Sequence, residues 1–394
     1  MKKLFRNSML VMATLLLVAG MSSCEKDKGG EDSGEINSDE LYQSILGSYI
    51  ESTIVPTYRS LAEAALEMRA ANIALKNDPS DANMVAASSA WMKARVAWEI
   101  SEAFLFGPVG EQALDIDGHI DSWPLELDQI LETLNQEAAD LTGEKAWAEL
   151  DAEVIGFHVT EYLLYREGQP RPVGDLSEAE LKYLTAATDA LVWDCVLAYV
   201  AWVGENAVTA EIRAVFDENS DVRAHLDANA SYKEFAKKLS PQATGGNYTS
   251  WSDALSEIAV GAAEIAGEVG ATKIAEPYEN QRTEDVESWY SWHSLDDYQN
   301  NIRSIKNAYL GGMDDHSRRT VCLSACIATV DAGLDRDIKA KIDDCLTKIA
   351  AIGTGGKSFY EVVRDQINAP RVDAAVDACI ELQGLFDRIP EIIE

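Results

Sequence analysis

The run from residue 147 to residue 165 contains no proline and only one glycine, which predicts a helix of about five turns. On such a helix His158 and Glu161, at positions i and i+3, project from the same face. Apolar residues occupy the other faces of its second half, and a helix that is apolar nearly all round is buried. The run therefore predicts an imidazole and a carboxylate side by side in the protein interior. Gly156, on the opposite side, would let a neighbouring backbone approach closely.

Burial of the His158–Glu161 pair is unfavourable unless each group has a partner. In one interpretation Glu161 accepts a hydrogen bond from His158, and both are satisfied polar groups of the core. In the other, the two residues are metal ligands, or a base and the group that orients it. The HxxE spacing alone is weakly specific. It is neither HExxH nor HxxEH, because Tyr162 stands where a second histidine would be.

The N-terminal residues have the pattern of an export signal. Basic residues within the first six positions, followed by an apolar segment over residues 9–19, predict a signal peptide at residues 1–23 that is too short to span a bilayer. Small residues precede Cys24, as in a bacterial lipobox, so Cys24 is the predicted lipidation site. The alternative is an ordinary signal peptide cut nearby, with Cys24 free. Residues 24–38 are polar and predict a lipid-anchored tether in the cell envelope, on the periplasmic or surface face of the outer membrane.

Composition limits the fold and the partners. The formal net charge of −34 argues against a nucleic-acid partner, because the phosphates would be repelled. The same charge suits an exported soluble protein or one that attracts cations. Alanine is abundant and alternating β-branched runs are scarce, so the predicted class is all-α. The chain beyond the tether is longer than one hydrophobic core usually organises, and we expect two domains, at residues 39–211 and 212–394.

Capping and breaking residues locate individual helices. Ser177 and Glu180 have the spacing of a capping box, which predicts a helix over residues 178–203. Pro56 predicts a kink or break in a helix over residues 39–76. After the signal peptide, we expect no run that is long and apolar enough to span a bilayer.

Residues 156–161, Gly-Phe-His-Val-Thr-Glu, match the GxHxxE signature of the imelysin family. Segments at residues 95–108, 123–125, 287–291 and 297–311 are also similar to the family and follow in its order, so the resemblance covers essentially the whole mature chain. It implies two helical-bundle domains, related by an internal duplication, with the signature helix near a cleft between them. It also implies an envelope protein of iron or metal uptake, often lipid-anchored. The family is classed among the metallopeptidases.

The resemblance makes His158 and Glu161 candidate ligands of a divalent or iron cation. The other candidate cleft residues are Arg95, Glu99, Glu102, Asp117, Ser291, Asp297 and Asn301. The alternative for Arg95, Glu99 and Glu102 is a solvated charge stripe, because Arg–Glu pairs at i and i+4 are common and weak. Turn chemistry is the alternative for Asp117, and a helix N-cap formed with Ser294 is the alternative for Asp297.

Three functions remain open at this point. The first is a metal- or iron-binding lipoprotein that works with metal-uptake components of the envelope. The second is a metallopeptidase that uses His158 and Glu161 with a water activated by a nearby carboxylate. The third is a structural or interaction lipoprotein without a metal. A catalytic zinc site needs three protein ligands and an open position, and the sequence identifies only two, which favours metal binding over peptide cleavage.

The lipid anchor is tested by the substitution Cys24→Ala. Two or three acyl chains together hold a soluble domain firmly to a membrane, whereas one chain binds only marginally. In detergent phase partitioning we expect the wild-type protein in the detergent phase and Cys24→Ala in the aqueous phase. Recovery of both proteins in the same phase would show that Cys24 carries no anchor.

Overall fold

The structure is a computed structural model that describes residues 38–110, 113–136, 140–228, 239, 248–313 and 320–394. The predicted signal peptide, Cys24 and all but the last residue of the predicted tether lie outside these ranges. In the described part of the chain the only strands form one hairpin, with two residues in each strand. The all-α prediction is confirmed.

The first half of the chain supplies one group of packed helices. In chain order the helices are α1 (Ser38–Tyr49), α2 (Val55–Asn77), α3 (Asp81–Glu99), α4 (Ile116–Ile120), α5 (Leu127–Gln136), α6 (Gly143–Glu149), α7 (Gly156–Leu164), α8 (Glu178–Val203), α9 (Ala210–Phe216) and α10 (Ser220–Ala228). Helix α2 packs along both α3 and α8, and α7 also lies against α3 and α8. The hairpin of β1 (Tyr165–Arg166) and β2 (Gln169–Pro170) directly follows α7.

The second half supplies another group. Helix α11 (Trp251–Glu268) continues through a π-helical segment, Val269–Ala275, into α12 (Glu276–Asn280). The remaining helices are α13 (Ser294–Leu310), α14 (Leu323–Val330), α15 (Ala332–Ile352), α16 (Phe359–Asp365), α17 (Ala369–Phe386) and α18 (Ile389–Ile393). Helix α17 packs along α15 and α11, and α13 packs against the same two helices. Helix α1 packs on α11, and the hydroxyl of Tyr42 donates a 3.1 Å hydrogen bond to the carbonyl of Ile393.

The two groups of helices meet where α13 contacts α3. The 3-10 turn Glu102–Phe104, just after α3, contacts both α11 and α13. Gly261 of α11 permits this contact, because a Cβ at that position would lie 2.3 Å from the carbonyl oxygen of Ala103. The helices α1 to α18 all belong to one compact unit. The domain boundary predicted between residues 211 and 212 stays a prediction.

The predicted capping box of α8 is confirmed. The Glu180 amide donates to the Ser177 hydroxyl at 3.1 Å, and the Ser177 amide donates to the Glu180 carboxylate at 2.8 Å.

The expectation that no later run could span a bilayer was wrong, because the length and composition of α8 would both allow it to cross a membrane. However, 89% of its most apolar window is buried inside the protein, as expected for a core helix. The irregularity predicted at Pro56 is a π-helical segment, Ile50–Ile54, that joins α1 to α2.

The prediction of one continuous helix over residues 147–165 was wrong. Helix α6 ends at Glu149, a 3-10 turn covers Ala152–Val154, and α7 begins only at Gly156. Gly156 has a φ of +78°, a conformation that favours glycine. A Cβ on Gly156 would lie 2.3 Å from the carbonyl oxygen of Ile120, so the close backbone approach predicted for this glycine is confirmed. The chain breaks here because α7 must start against the end of α4.

The substitution Gly156→Ala should therefore destabilise the fold. A methyl group would clash with the Ile120 carbonyl and would hold the backbone in a strained conformation. We expect the free energy of unfolding in urea to fall by about 2 kcal/mol or more. Gly47→Ala is the matched control, because a Cβ on this glycine of α1 meets nothing within 4 Å. Equal effects of the two substitutions would contradict the role assigned to Gly156.

Candidate metal centre

Arg95 of α3 is the centre of a buried group of charged side chains. Its guanidinium contacts the carboxylates of Glu99 and Asp121, and it lies 2.7 Å from Glu287 Oε1 and 3.4 Å from Asp297 Oδ2. The side chains of Arg95 and Glu99 are both fully buried. The alternative of a solvated charge stripe is therefore wrong for these two residues. A buried cation of this kind is stable only when carboxylates surround it.

One guanidinium cannot neutralise four carboxylates, and their pKa values divide accordingly. Burial opposes the ionisation of all four. At Asp121 the charges of Arg95 and His158 outweigh burial and lower the pKa, and at Glu287 nearby cations hold the pKa well below its usual range. At Glu99 burial prevails and raises the pKa well above its usual value, and burial raises the pKa of Asp297 to about 6. Asp121 and Glu287 are thus the members of the set whose ionised forms the surroundings favour most.

His158 of α7 faces Asp121 and Glu287, the two carboxylates whose pKa values are lowered. Its Nε2 atom lies 3.0 Å from Asp121 Oδ1 and 3.6 Å from Glu287 Oε1, and its ring is fully buried. Its Nδ1 atom lies 3.4 Å from Glu161 Oε2. Burial and Arg95 oppose a charged imidazole, but the three surrounding carboxylates outweigh them and raise the pKa of His158 well above its usual value.

Glu161 stands on the other side of the imidazole from Asp121 and Glu287. Its Oε1 atom accepts a 2.7 Å hydrogen bond from the backbone N–H of Ser291, which fixes the carboxylate against Nδ1. In this arrangement Glu161 orients the ring, as a carboxylate commonly does behind a metal-binding histidine. Direct ligation of a metal by Glu161, as expected from the GxHxxE spacing, stays a prediction.

Asp121, His158 and Glu287 together have the geometry of a cation site. Each offers one ligand atom, and these three atoms all lie within 4.8 Å of one another. The buried Nε2 atom of His158 makes no aligned hydrogen bond, although carboxylate oxygens lie close to it. One imidazole nitrogen with two carboxylate oxygens is a donor set that suits zinc, iron and similar divalent ions. The residues present therefore fit a metal ion.

A second group of carboxylates shares Asp121 with the first. Glu99, Glu102 and Asp121 also place their ligand atoms within 4.8 Å of one another. Burial, and then repulsion by the neighbouring carboxylates, raises the pKa of Glu102 well above its usual value. Asp117 lies at the exposed edge of this group. Desolvation by the surrounding protein atoms, followed by repulsion from Asp121, raises its pKa to about 7. The region therefore holds more acidic groups than its cations can neutralise.

Hydrogen bonds and rings fix the side chains of the centre. The indole N–H of Trp98 donates to Asp121 Oδ2 at 2.7 Å, and the ring centroid of Trp123 lies 4.7 Å from that of His158. The side-chain amide of Asn301 donates to the carboxylate of Glu99. These contacts limit the rotation of each donor group, which keeps the ligand atoms directed at one point.

The position of Asp121 depends on α4, which immediately precedes it. His119 of α4 points away from the centre, with its Nδ1 atom 2.6 Å from Asp194 Oδ2 of the core helix α8. Trp147 donates to the other oxygen of Asp194 at 2.7 Å. Together with the close approach of Gly156 to Ile120, these contacts hold the end of α4 between α7 and α8.

The structure brings most of the sequence-predicted residues together. Asp297 pairs with Arg95, and Ser294 donates its hydroxyl hydrogen to the Glu287 carbonyl, so the N-cap interpretation of Asp297 is wrong. Asp121 and Glu287 were not predicted from the sequence. Glu287 begins a segment that carried the family resemblance, and Asp121 follows the end of α4, the helix that contains Asp117. Position in these segments was the only available signal for either residue.

The fold and the centre define a helical protein with a carboxylate-rich candidate metal site, and comparison with known proteins gives its family. Residues 54–386 match the model of the imelysin peptidase family. The chain belongs to the imelysin family, as its sequence motifs predicted.

Relatives and solved structures agree with this assignment. Iron-regulated protein A of Synechococcus elongatus is 28% identical over 273 residues, which cover 69% of this chain and 65% of that protein. The chain thus spans less than two thirds of that relative. A crystal structure of an iron-regulated protein A precursor from Parabacteroides distasonis has a TM-score of 0.74 at 28% identity, with 92% of this chain and 97% of that chain covered. An imelysin-like protein from Psychrobacter arcticum has a TM-score of 0.55 at 14% identity, covers 91% and 94% of the two chains, and bears on the fold alone.

The substitution Glu99→Gln tests the division of charge around Arg95. Because the pKa of Glu99 is raised in the folded state, folded wild-type protein retains a proton that the unfolded chain releases above its own lower pKa. Its stability should therefore fall as pH rises toward the folded pKa. Glutamine has no such proton, so we expect the variant to gain stability relative to wild type as the pH rises from the usual glutamate range toward the raised pKa of folded Glu99.

Urea unfolding across this pH range measures the effect. Glu67→Gln is the control, because Glu67 is an exposed residue of α2 that water solvates in both states. A stability difference between Glu99→Gln and wild type that does not change with pH would refute the assignment of a retained proton to Glu99.

Proposed function

We propose that this imelysin-family protein is an envelope lipoprotein that binds a divalent or iron cation in metal uptake, with Asp121, His158 and Glu287 as the ligands. The observation that carries the proposal is the convergence of two carboxylates on the Nε2 atom of a fully buried histidine, with the three ligand atoms all within 4.8 Å of one another. Because these carboxylates raise the pKa of His158, a metal ion would bind Nε2 in place of a proton.

The surroundings of the three ligands support a cation. Glu99, Glu102 and Asp117 lie beside them and carry raised pKa values, so the region has acidic groups that an added positive charge would stabilise in their ionised form. The net charge of −34 favours the approach of cations over long distances. The relatives described as iron-regulated proteins point to iron as the first metal to test.

Each residue would have a distinct task. His158 would bind the ion through Nε2, while Glu161 holds Nδ1 and the Ser291 amide holds Glu161. Asp121 and Glu287 would supply one oxygen each, and Arg95 keeps both carboxylates in place through its own contacts. The bound ion would supply positive charge, and in a peptidase it would also activate a water molecule.

The metallopeptidase is the second candidate, and one observation favours it. Three candidate ligands, Asp121, His158 and Glu287, lie together, and three protein ligands are the usual requirement of a catalytic zinc site. Glu99 and Glu102 stand beside them with raised pKa values, as suits a general base. Cleavage of a mixed peptide library by the metal-loaded protein, lost in both His158→Ala and Glu102→Gln, would support this activity.

Metal binding is tested by isothermal titration calorimetry with Fe²⁺ under anaerobic conditions and with Zn²⁺. Loss of a ligand should weaken binding more than loss of an outer contact, so we expect His158→Ala and Glu287→Gln to lower the affinity by more than about tenfold. His293→Ala is the matched control, because His293 pairs with Asp296 at 3.3 Å and is not one of the three ligands.

Thermal melting of the same proteins separates a functional centre from a structural one. If the centre binds metal, wild type should melt at a higher temperature with the metal than without it, and His158→Ala should lose this gain. If the group only fixes helix packing, His158→Ala should melt early and no metal should shift wild type. The second result would reject the proposal in favour of a structural lipoprotein.

A further inference from the structure

Lys273 is a second buried cation at the candidate centre, and it lies on an unusual backbone. It belongs to the π-helical segment Val269–Ala275 between α11 and α12. Its side chain is only 9% exposed, and its ammonium lies 3.0 Å from Glu287 Oε2 and 3.3 Å from Glu287 Oε1. Single π-helical turns within helices frequently occur at functional sites.

Lys273 and Arg95 hold the same carboxylate in different ways. Arg95 is fully buried and contacts four carboxylates, so its guanidinium is fixed. Lys273 has a compact ammonium on a flexible four-carbon stem. Its other carboxylate contact is Glu268 Oε1 at 3.8 Å, and the Glu268 side chain is 51% exposed. The ammonium therefore has a second partner, toward solvent, within a short movement from Glu287.

A metal ion on Glu287 would have to share that carboxylate with the ammonium. Two positive charges on one carboxylate repel each other strongly where water is excluded. A shift of the ammonium to Glu268 would relieve this repulsion without leaving Lys273 unpaired. Glu287 would then be free to hold the metal together with Asp121 and His158.

We propose that Lys273 is a resident counter-ion that the bound metal displaces from Glu287, and that it thereby sets the metal affinity of the centre. The inference rests on the proposed function and extends it to selectivity. A monovalent ion would replace one positive charge with another and gain little. A divalent ion adds a charge to an acidic region, so the ammonium selects for multivalent cations.

The test is calorimetric titration of Zn²⁺ into wild type, Lys273→Met and Lys273→Arg. Removal of the competing charge should tighten Zn²⁺ binding by about tenfold or more in Lys273→Met. Lys273→Arg keeps the charge and can hold Glu287 through two hydrogen bonds, so it should bind Zn²⁺ no more tightly than wild type. Lys306→Met is the control, because Lys306 pairs with the exposed Asp343 on the surface and should change nothing.

Selectivity and displacement each have a separate measurement. Sodium chloride should weaken Zn²⁺ binding to Lys273→Met more than tetramethylammonium chloride at the same ionic strength, and the two salts should act alike on wild type. Glu268→Gln should weaken binding more in wild type than in the Lys273→Met background, since the displaced ammonium is then absent.

The outcomes distinguish this inference from the function on which it rests. If wild type binds Zn²⁺ and Lys273→Met binds equally or more weakly, the counter-ion role is overturned and the metal centre stands. If neither protein binds Zn²⁺ or Fe²⁺, both are overturned. Melting curves establish that each variant folds, and Lys273→Gln, which keeps a polar contact to Glu287, takes the place of Lys273→Met if the latter does not fold.

Discussion

The contact of one buried guanidinium with four carboxylates is the interaction on which the rest of the centre depends. Arg95 and Glu99 come from α3, Asp121 follows α4, Glu287 precedes α13, and Asp297 lies on α13. The ion pairs therefore join both groups of helices at the point where α3 meets α13. Removal of the guanidinium would leave four buried carboxylates with too little positive charge around them, which is far less favourable than loss of an exposed ion pair.

The geometry around Arg95 also explains the composition of the signature helix. The imidazole of His158 directs Nε2 toward Asp121 and Nδ1 toward Glu161, and Glu161 in turn accepts a hydrogen bond from the Ser291 amide. Gly156 lets α7 begin against the carbonyl of Ile120, directly before Asp121. Each residue of the signature thus has a separate role. Gly156 permits the close approach of α4, His158 provides a nitrogen atom, and Glu161 orients the His158 ring.

Local features of the sequence predicted local structure well. The capping box at Ser177, the burial of His158 and the close approach at Gly156 all follow from short-range pattern and residue chemistry. Asp121 and Glu287 could not be selected in this way, because their role comes from convergence of segments far apart in the chain. The break before α7 was missed for the same reason, since only contact with α4 requires it. The sequence pattern thus identified the imidazole of His158, whereas tertiary packing brings Asp121 and Glu287 next to it.

Two indole rings border the group of ligands, and this gives the protein an optical property. Trp98 donates its N–H to Asp121, and the ring of Trp123 lies against His158. Indole fluorescence is sensitive to nearby charge, and paramagnetic ions quench it over short distances. A change of charge at this point will therefore alter the emission of Trp98 and Trp123. Ion binding at the centre can thus be followed by the intrinsic tryptophan fluorescence of the protein, without an attached dye.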